Sequence, residues 1–226
     1  MVSEGDGGLR RSDQLVVFDC DGVLVDSERL NVGIWTSAMR DLGLTFGPQD
    51  AIHHFLGRAY ADNRHTVAAL TGREVPPEWE SHWRAEFRRS HDRLEAIPGI
   101  AEALDDIVDA GHPVCVASGS IGPAIVRKLE VTGLDRFFGG RYYSAEEVER
   151  GKPAPDVFLH AAADLGFAPS RCVVVEDSDP GVAAARAAGM PVVGYRSDLT
   201  PAGGLADADV VIDDMRALPA ALASLG

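Results

Sequence analysis

Asp19 and Asp21 stand two residues apart, directly behind the apolar β-forming run Val16-Val17-Phe18. An unpaired carboxylate is costly to bury, and two neighbouring ones repel each other. The pair therefore implies a strand tip open to water or a positive partner. A carboxylate at a strand tip can act as a nucleophile, since aspartate forms covalent aspartyl-phosphates. Asp21, projecting to the same side, could serve as general acid and base, with Gly22 allowing a sharp turn. A solvated Asp-x-Asp-Gly turn would account for the same residues, so other segments must decide.

Three further clusters bear on the question. In Ala117-Ser118-Gly119-Ser120-Ile121-Gly122, the Ser118 hydroxyl and the bare N–H groups around Gly119 could hold an anion at a helix start. The plain alternative is a serine N-cap. In Gly151-Lys152-Pro153-Ala154-Pro155-Asp156, a lysine sits on a stiff loop, and the chain has only two lysines, Lys128 and Lys152, against 19 arginines. A compact ammonium there could neutralise a phosphoryl oxygen and the nucleophile together, unless it is a surface lysine on a turn. The run Val173-Val174-Val175 leads into Glu176-Asp177-Ser178-Asp179, adding more acids. Such an accumulation calls for a hard cation, and Mg²⁺ takes oxygen ligands from carboxylates and substrate phosphate.

The elements that would position these groups are short apolar runs: Leu15–Phe18, Val114–Ala117, Cys172–Val175, Pro191–Gly194 and Val210–Ile212. Their continuous apolar character fits a parallel sheet covered on both faces. Helical patterns over Ile100–Ala110, Ile121–Val131, Asp156–Leu165 and Val182–Ala188 end at glycines. The alternation predicts a doubly wound, Rossmann-like α/β core, whose ligands sit at the carboxyl ends of the strands. All four clusters fall at such ends. Residues 28–95 lack strand patterns and carry Trp35, Trp79 and Trp83. They read as an all-helical cap inserted after the first strand, with residues 13–27 and 96–226 as the core and 1–12 as a disordered leader.

The net charge of −14 excludes nucleic acid and anionic membrane as expected partners. Cys20, Cys115 and Cys172 lie apart in apolar runs, so they read as core residues of a reducing compartment. With no signal peptide or membrane-length apolar stretch, the expectation is a cytoplasmic monomer.

The motifs FDCDGVLVDSE, VASGS, GKPAPD and VVEDSDPGVAAARAAGM, in this order, resemble the haloacid dehalogenase superfamily of phosphohydrolases. The closer resemblance is to the branch holding β-phosphoglucomutase and small sugar-phosphate phosphatases. It implies Asp19 as nucleophile and Mg²⁺ ligand, and Asp21 as general acid/base with its backbone carbonyl on the metal. It implies Ser118 and Lys152 on the phosphoryl group and Asp177 on Mg²⁺, with Glu176 a direct or water-mediated ligand. The presence of Asp21 argues against dehalogenation. The activity implied is a Mg²⁺-dependent phosphatase acting on a small phosphorylated metabolite. The alternative is a sugar phosphomutase. The mutase pattern has a histidine where this chain has Asn31, a cap lysine that this chain lacks, and an asparagine where it has Gly122. A phospho-accepting signalling domain would be about half this length and would have no cap. Arg58 is a candidate for facing the substrate, the cap tryptophans are expected in a core, and the five cap histidines are expected on the surface or in packing.

Overall fold

In the computed structural model the described residues are 14–55 and 60–225, so the expected leader, residues 1–12, lies outside them. Six strands form one sheet: β1 (Leu15–Phe18), β2 (Val114–Ser118), β3 (Tyr142–Ser144), β4 (Cys172–Glu176), β5 (Val192–Tyr195) and β6 (Val210–Ile212). Their order is β3-β2-β1-β4-β5-β6, and every adjacent pair is parallel. Strand β1 is central. Its residues alternate between two cores, as side chains of a pleated strand must. Val16 and Phe18 join one cluster, Leu15 and Val17 the other. The chain crosses from one half of the sheet to the other between β3 and β4, so the carboxyl ends of β1 and β4 flank the point where the winding reverses.

The helices are α1 (Ser27–Asp41), α2 (Pro48–Phe55), α3 (Tyr60–Thr71), α4 (Pro77–Ser90), α5 (Ile100–Asp109), α6 (Gly122–Thr132), α7 (Asp135–Phe138), α8 (Asp156–Asp164), α9 (Asp179–Ala187) and α10 (Leu218–Ala223). Helices α5 and α6 cover one face through Ile100, Leu104, Ile125 and Leu129. Helices α8 and α9 cover the other through Val157, Phe158, Val182 and Ala185. This two-sided cover explains why the strands lack polar alternation.

Helices α1 to α4 build a third hydrophobic cluster of their own, including Trp35, Met39, Phe55, Val67 and Trp79. Trp35 stacks on Phe55 with ring centroids 4.2 Å apart. The tryptophans thus lie in a core, as expected. The two chain crossings between this segment and the sheet are stitched together. Asp26 N–H donates to the Glu95 carbonyl (2.9 Å) and Ile97 N–H to the Leu24 carbonyl (3.0 Å). Val25 and Ala96 form an antiparallel bridge between these bonds.

Two differences from the sequence reading have local causes. Strand β3 was not anticipated; it is three residues long and exists because Tyr142, Tyr143 and Ser144 pair with Val116, Ala117 and Ser118. Helix α9 starts at Asp179 rather than Val182 because Ser178 Oγ accepts from Gly181 N–H (3.2 Å) as its N-cap, with Pro180 in the first turn.

Candidate active site

Asp19 follows β1 directly, and its N–H donates to the Val175 carbonyl (3.0 Å), extending the β1–β4 ladder by one step. That step sets Asp19 beside Glu176, the last residue of β4. Lys152 reaches them from the loop before α8. Its Nζ donates to Asp19 Oδ1 (2.6 Å) and Glu176 Oε1 (2.8 Å), 4.7 Å from the centre of the Phe158 ring. The other Glu176 oxygen accepts from the N–H groups of Asp177 (2.8 Å) and Ser178 (2.9 Å) and from Ser178 Oγ (2.9 Å). Glu176 is 1% exposed, and both its oxygens are committed. A Cβ at Gly181 would lie 1.7 Å from Glu176 Oε1, so only glycine admits this carboxylate.

Asp177 occupies a second such gap. A Cβ at Gly22 would come within 1.9 Å of Asp177 Oδ2, and Gly22 has φ +77°, so its side-chain-free, left-handed backbone is required twice over. Glu28, in the first turn of α1, adds another acid to the group. Burial, together with Glu176 and Asp21, pushes Asp19 up to about 7 in spite of Lys152. Burial and the surrounding carboxylates push Glu28 up to about 7 and Asp177 well above the usual aspartate range. Burial opposes charge on Lys152 too, but Asp19 and Glu176 outweigh it and hold its ammonium firmly protonated.

Asp19, Glu28 and Asp177 are together short of positive charge, a setting that would suit a hard divalent cation. No three such side chains among the described residues are already drawn together as a ligand set. Among the described residues no hydrogen-bond donor reaches Asp19 Oδ2 or the Asp177 carboxylate, and one lysine faces several acids. Oxygen donors short of positive charge are what Mg²⁺ binds.

Asp21 has other partners. Lys128 Nζ, from α6, donates to both its oxygens (2.6 Å each). Ser27 Oγ donates to Oδ1 (2.5 Å) and Ser120 Oγ to Oδ2 (2.8 Å). Burial opposes ionisation of Asp21, but Lys128 and the two hydroxyls outweigh it and hold its carboxyl below the usual range. Lys128, Ser27, Ser120 and Glu28 are members of the site that the sequence reading did not assign. Only Lys128 left a trace, as one of two lysines in the chain.

Ser118 ends β2 and is buried, its Oγ accepting from Ser120 N–H (3.1 Å). Neither serine caps α6, whose N-cap is Ile121, so the plain N-cap explanation does not hold. A Cβ at Gly119 would meet open space. Arg58 lies outside the described residues. A cleft of about 520 Å³ opens between α2 and the loops after β4 and β5, lined by Glu28, Gln49, His53, Asp177, Ser178 and Thr200 among others. His53, expected on the surface or in packing, faces this cleft. Cys20 is fully buried in the first core.

Residues 14–189 match the family model of haloacid dehalogenase-like hydrolases. The chain is 32% identical over 178 residues to hexitol phosphatase A of Escherichia coli K12, covering 78% of this chain and 80% of that protein. It is 32% identical to a fructose-1-phosphate phosphatase of the same strain, over 80% of this chain and 95% of the relative. A crystal structure of a haloacid dehalogenase family hydrolase from Deinococcus radiodurans R1, with bound phosphate and sodium, superposes with a TM-score of 0.84. It shares 34% identity, over 96% of this chain and 97% of that one. With the acid–lysine cluster at the tips of β1 and β4, these matches place the chain among the haloacid dehalogenase-like hydrolases.

Proposed function

We propose that this hydrolase is a Mg²⁺-dependent phosphatase acting on phosphate monoesters of small sugars or polyols through an aspartyl-phosphate. The observation that carries the reading is Lys152 bridging Asp19 and Glu176 at the strand tips, beside the Asp177 carboxylate, which no hydrogen-bond donor reaches among the described residues. In this reading Asp19 attacks phosphorus and the ester P–O bond breaks. Asp21, ionised in the free protein, would take up a proton as the monoanionic ester binds and pass it to the departing oxygen. Asp21 then takes a proton from the water that attacks the aspartyl-phosphate, releasing phosphate and restoring Asp19. Lys152, Ser118 and the N–H groups around Gly119 hold the phosphoryl oxygens. Asp19, Asp177 and the Asp21 carbonyl would hold Mg²⁺, which supplies charge stabilisation for the phosphoryl group. Glu176, with both oxygens committed, serves this site by fixing Lys152 and the loop after β4. Residues 28–95 act as a cap over the core, and the cleft holding Gln49 and His53 receives the leaving group.

The support from relatives is the phosphatase activity named for both Escherichia coli proteins. The test is release of inorganic phosphate from p-nitrophenyl phosphate, with Mg²⁺ and with EDTA. A panel of hexitol, ketose, aldose and sugar-acid phosphates follows, including β-glucose 1-phosphate with catalytic glucose 1,6-bisphosphate. Mg²⁺-dependent release from a subset of the panel is expected. No release from any ester, or conversion to glucose 6-phosphate without free phosphate, overturns the reading.

A further inference from the structure

The cleft of about 520 Å³ beside Asp177 has two walls of different origin. Helix α2 supplies Gln49, Ile52 and His53, and the loops after β4 and β5 supply Pro180, Leu199 and Thr200 among others. Gln49 and His53 are four residues apart, so they stand one above the other on the same face of α2. Both are exposed, and the Gln49 amide has no hydrogen-bond partner among the described residues. An amide offers both donors and an acceptor, which matches it to a hydroxyl as well as to a carbonyl.

Positive charge is what these walls lack. Among the described residues no lysine or arginine lines the cleft. Lys152 is spent on Asp19 and Glu176, and Lys128 on Asp21. Arg29, beside Glu28 on α1, is held by Asp26 and Asp198. A helix start would ordinarily attract an anion, but at α9 the N–H groups are answered within the chain. Gly181 N–H donates to Ser178 Oγ, and the N–H groups of Asp177 and Ser178 donate to Glu176. The walls carry the acids Glu28, Asp177 and Asp179 instead. A second anionic group on the substrate would give up its water here for no cation, and would stand among acids. A hydroxyl meets neither obstacle.

We propose that Gln49 sets the charge selectivity of this cleft. Its amide takes a hydroxyl of an uncharged leaving group, and monoesters bearing a further carboxylate or phosphate are turned away. The proposal rests on the phosphatase reading above and narrows it to phosphates of neutral polyhydroxy compounds. Gln49 lies on the α2 wall, outside the acid–lysine cluster, so it acts on which ester binds and not on bond breaking.

The experiment compares kcat/KM on sorbitol 6-phosphate and 6-phosphogluconate, with Mg²⁺, at about pH 8, above the range where imidazoles ordinarily titrate. The two esters differ only in a terminal hydroxymethyl against a carboxylate. The wild type should favour the polyol by about 10-fold or more. Gln49→Arg should raise kcat/KM on the acid by about 10-fold, mainly through KM, and leave p-nitrophenyl phosphate within about 2-fold of wild type. A gain on one ester cannot come from a damaged fold. If neither six-carbon ester is turned over, glycerol 3-phosphate and 3-phosphoglycerate present the same contrast and decide. Equal turnover of the two members of a pair, preference for the acid, or an unchanged ratio in Gln49→Arg overturns the proposal, as does turnover confined to the aryl ester. Absence of turnover by the wild type on every ester, p-nitrophenyl phosphate included, would instead refute the phosphatase reading.

Discussion

Two aspartates two residues apart are each served by a different lysine, and the two pairs are not alike. Lys152 approaches Asp19 from a loop and divides itself between Asp19 and Glu176, both 2.8 Å away or less. Lys128 approaches Asp21 from a helix and spends itself on that carboxylate with two serine hydroxyls assisting. The result is opposite electrostatics, with the Asp19 side chain 10% exposed and that of Asp21 31%. Asp19 is pushed up to about 7, while Asp21 is held below its ordinary value. Contact with a lysine does not decide the state of a buried acid; the local balance of charge does. The Asp21 site is balanced as it stands. The Asp19 site is not, and its deficit is what a divalent cation would correct.

The comparison can be broken most severely at Asp19. Asp19→Asn should reduce phosphate release by about 10⁴-fold or more, as expected for loss of a nucleophile, with an unchanged circular dichroism spectrum. Near-normal turnover would remove Asp19 from the mechanism. Asp21→Asn should cost about 10²–10⁴-fold, the range for acid–base catalysis, while leaving Mg²⁺-induced thermal stabilisation in place. Loss of that stabilisation would show that the two sites are not separate.

A smaller effect sharpens the electrostatic contrast. The Asp19 carboxyl lies above its unfolded value of 3.8, at about 7, so between those values the folded chain keeps a proton that the unfolded chain releases. That contribution is present at acid pH and is lost as pH rises through the folded pKa. Metal-free stability from Asp19 therefore falls from about pH 4 to about pH 7. Mg²⁺ binds the ionised form, so its stabilisation should grow over the same interval, measured as urea midpoints with EDTA and with Mg²⁺. A Mg²⁺ effect independent of pH would contradict the charge deficit. The smallest change is expected at an exposed pair. Arg29 joins Asp26 and Asp198 with side chains 58% and 66% exposed at the longer-range contact. Arg29→Ala should shift unfolding free energy by less than about 1 kcal/mol, against the larger loss from opening either buried pair.

The candidate site was legible in part because its residues sit where strands stop. Asp19, Ser118, Glu176 and Asp177 each end or follow an apolar run, and Lys152 stands between prolines and glycine where few lysines occur. The five apolar runs were legible as continuous aliphatic stretches. Strand β3 was not, since Tyr142-Tyr143-Ser144 is neither a continuous aliphatic run nor an alternating one, and its pairing partner lies some distance back in the chain. Lys128 was hidden within a helical pattern, where a lysine ordinarily reads as part of a solvated face; only the folded chain brings Asp21 opposite it. Glu28 was hidden similarly, because an acid in a first helical turn is already explained by the helix dipole.

The paired crossings carry one more consequence. Because Val25 and Ala96 are bridged, with hydrogen bonds on either side, the chain leaves and re-enters the sheet at neighbouring points. Antiparallel partners stand only about 5 Å apart, a gap that a two-residue reverse turn can span. The intervening stretch is thus a cassette: it can be excised and closed with an Asn-Gly turn, or exchanged for the corresponding stretch of a relative, without repositioning a single strand. Chimeras spliced at Val25 and Ala96 would carry Ser27 and Glu28 with the exchanged helices, while Asp19, Asp21, Lys128 and Lys152 stay with the sheet.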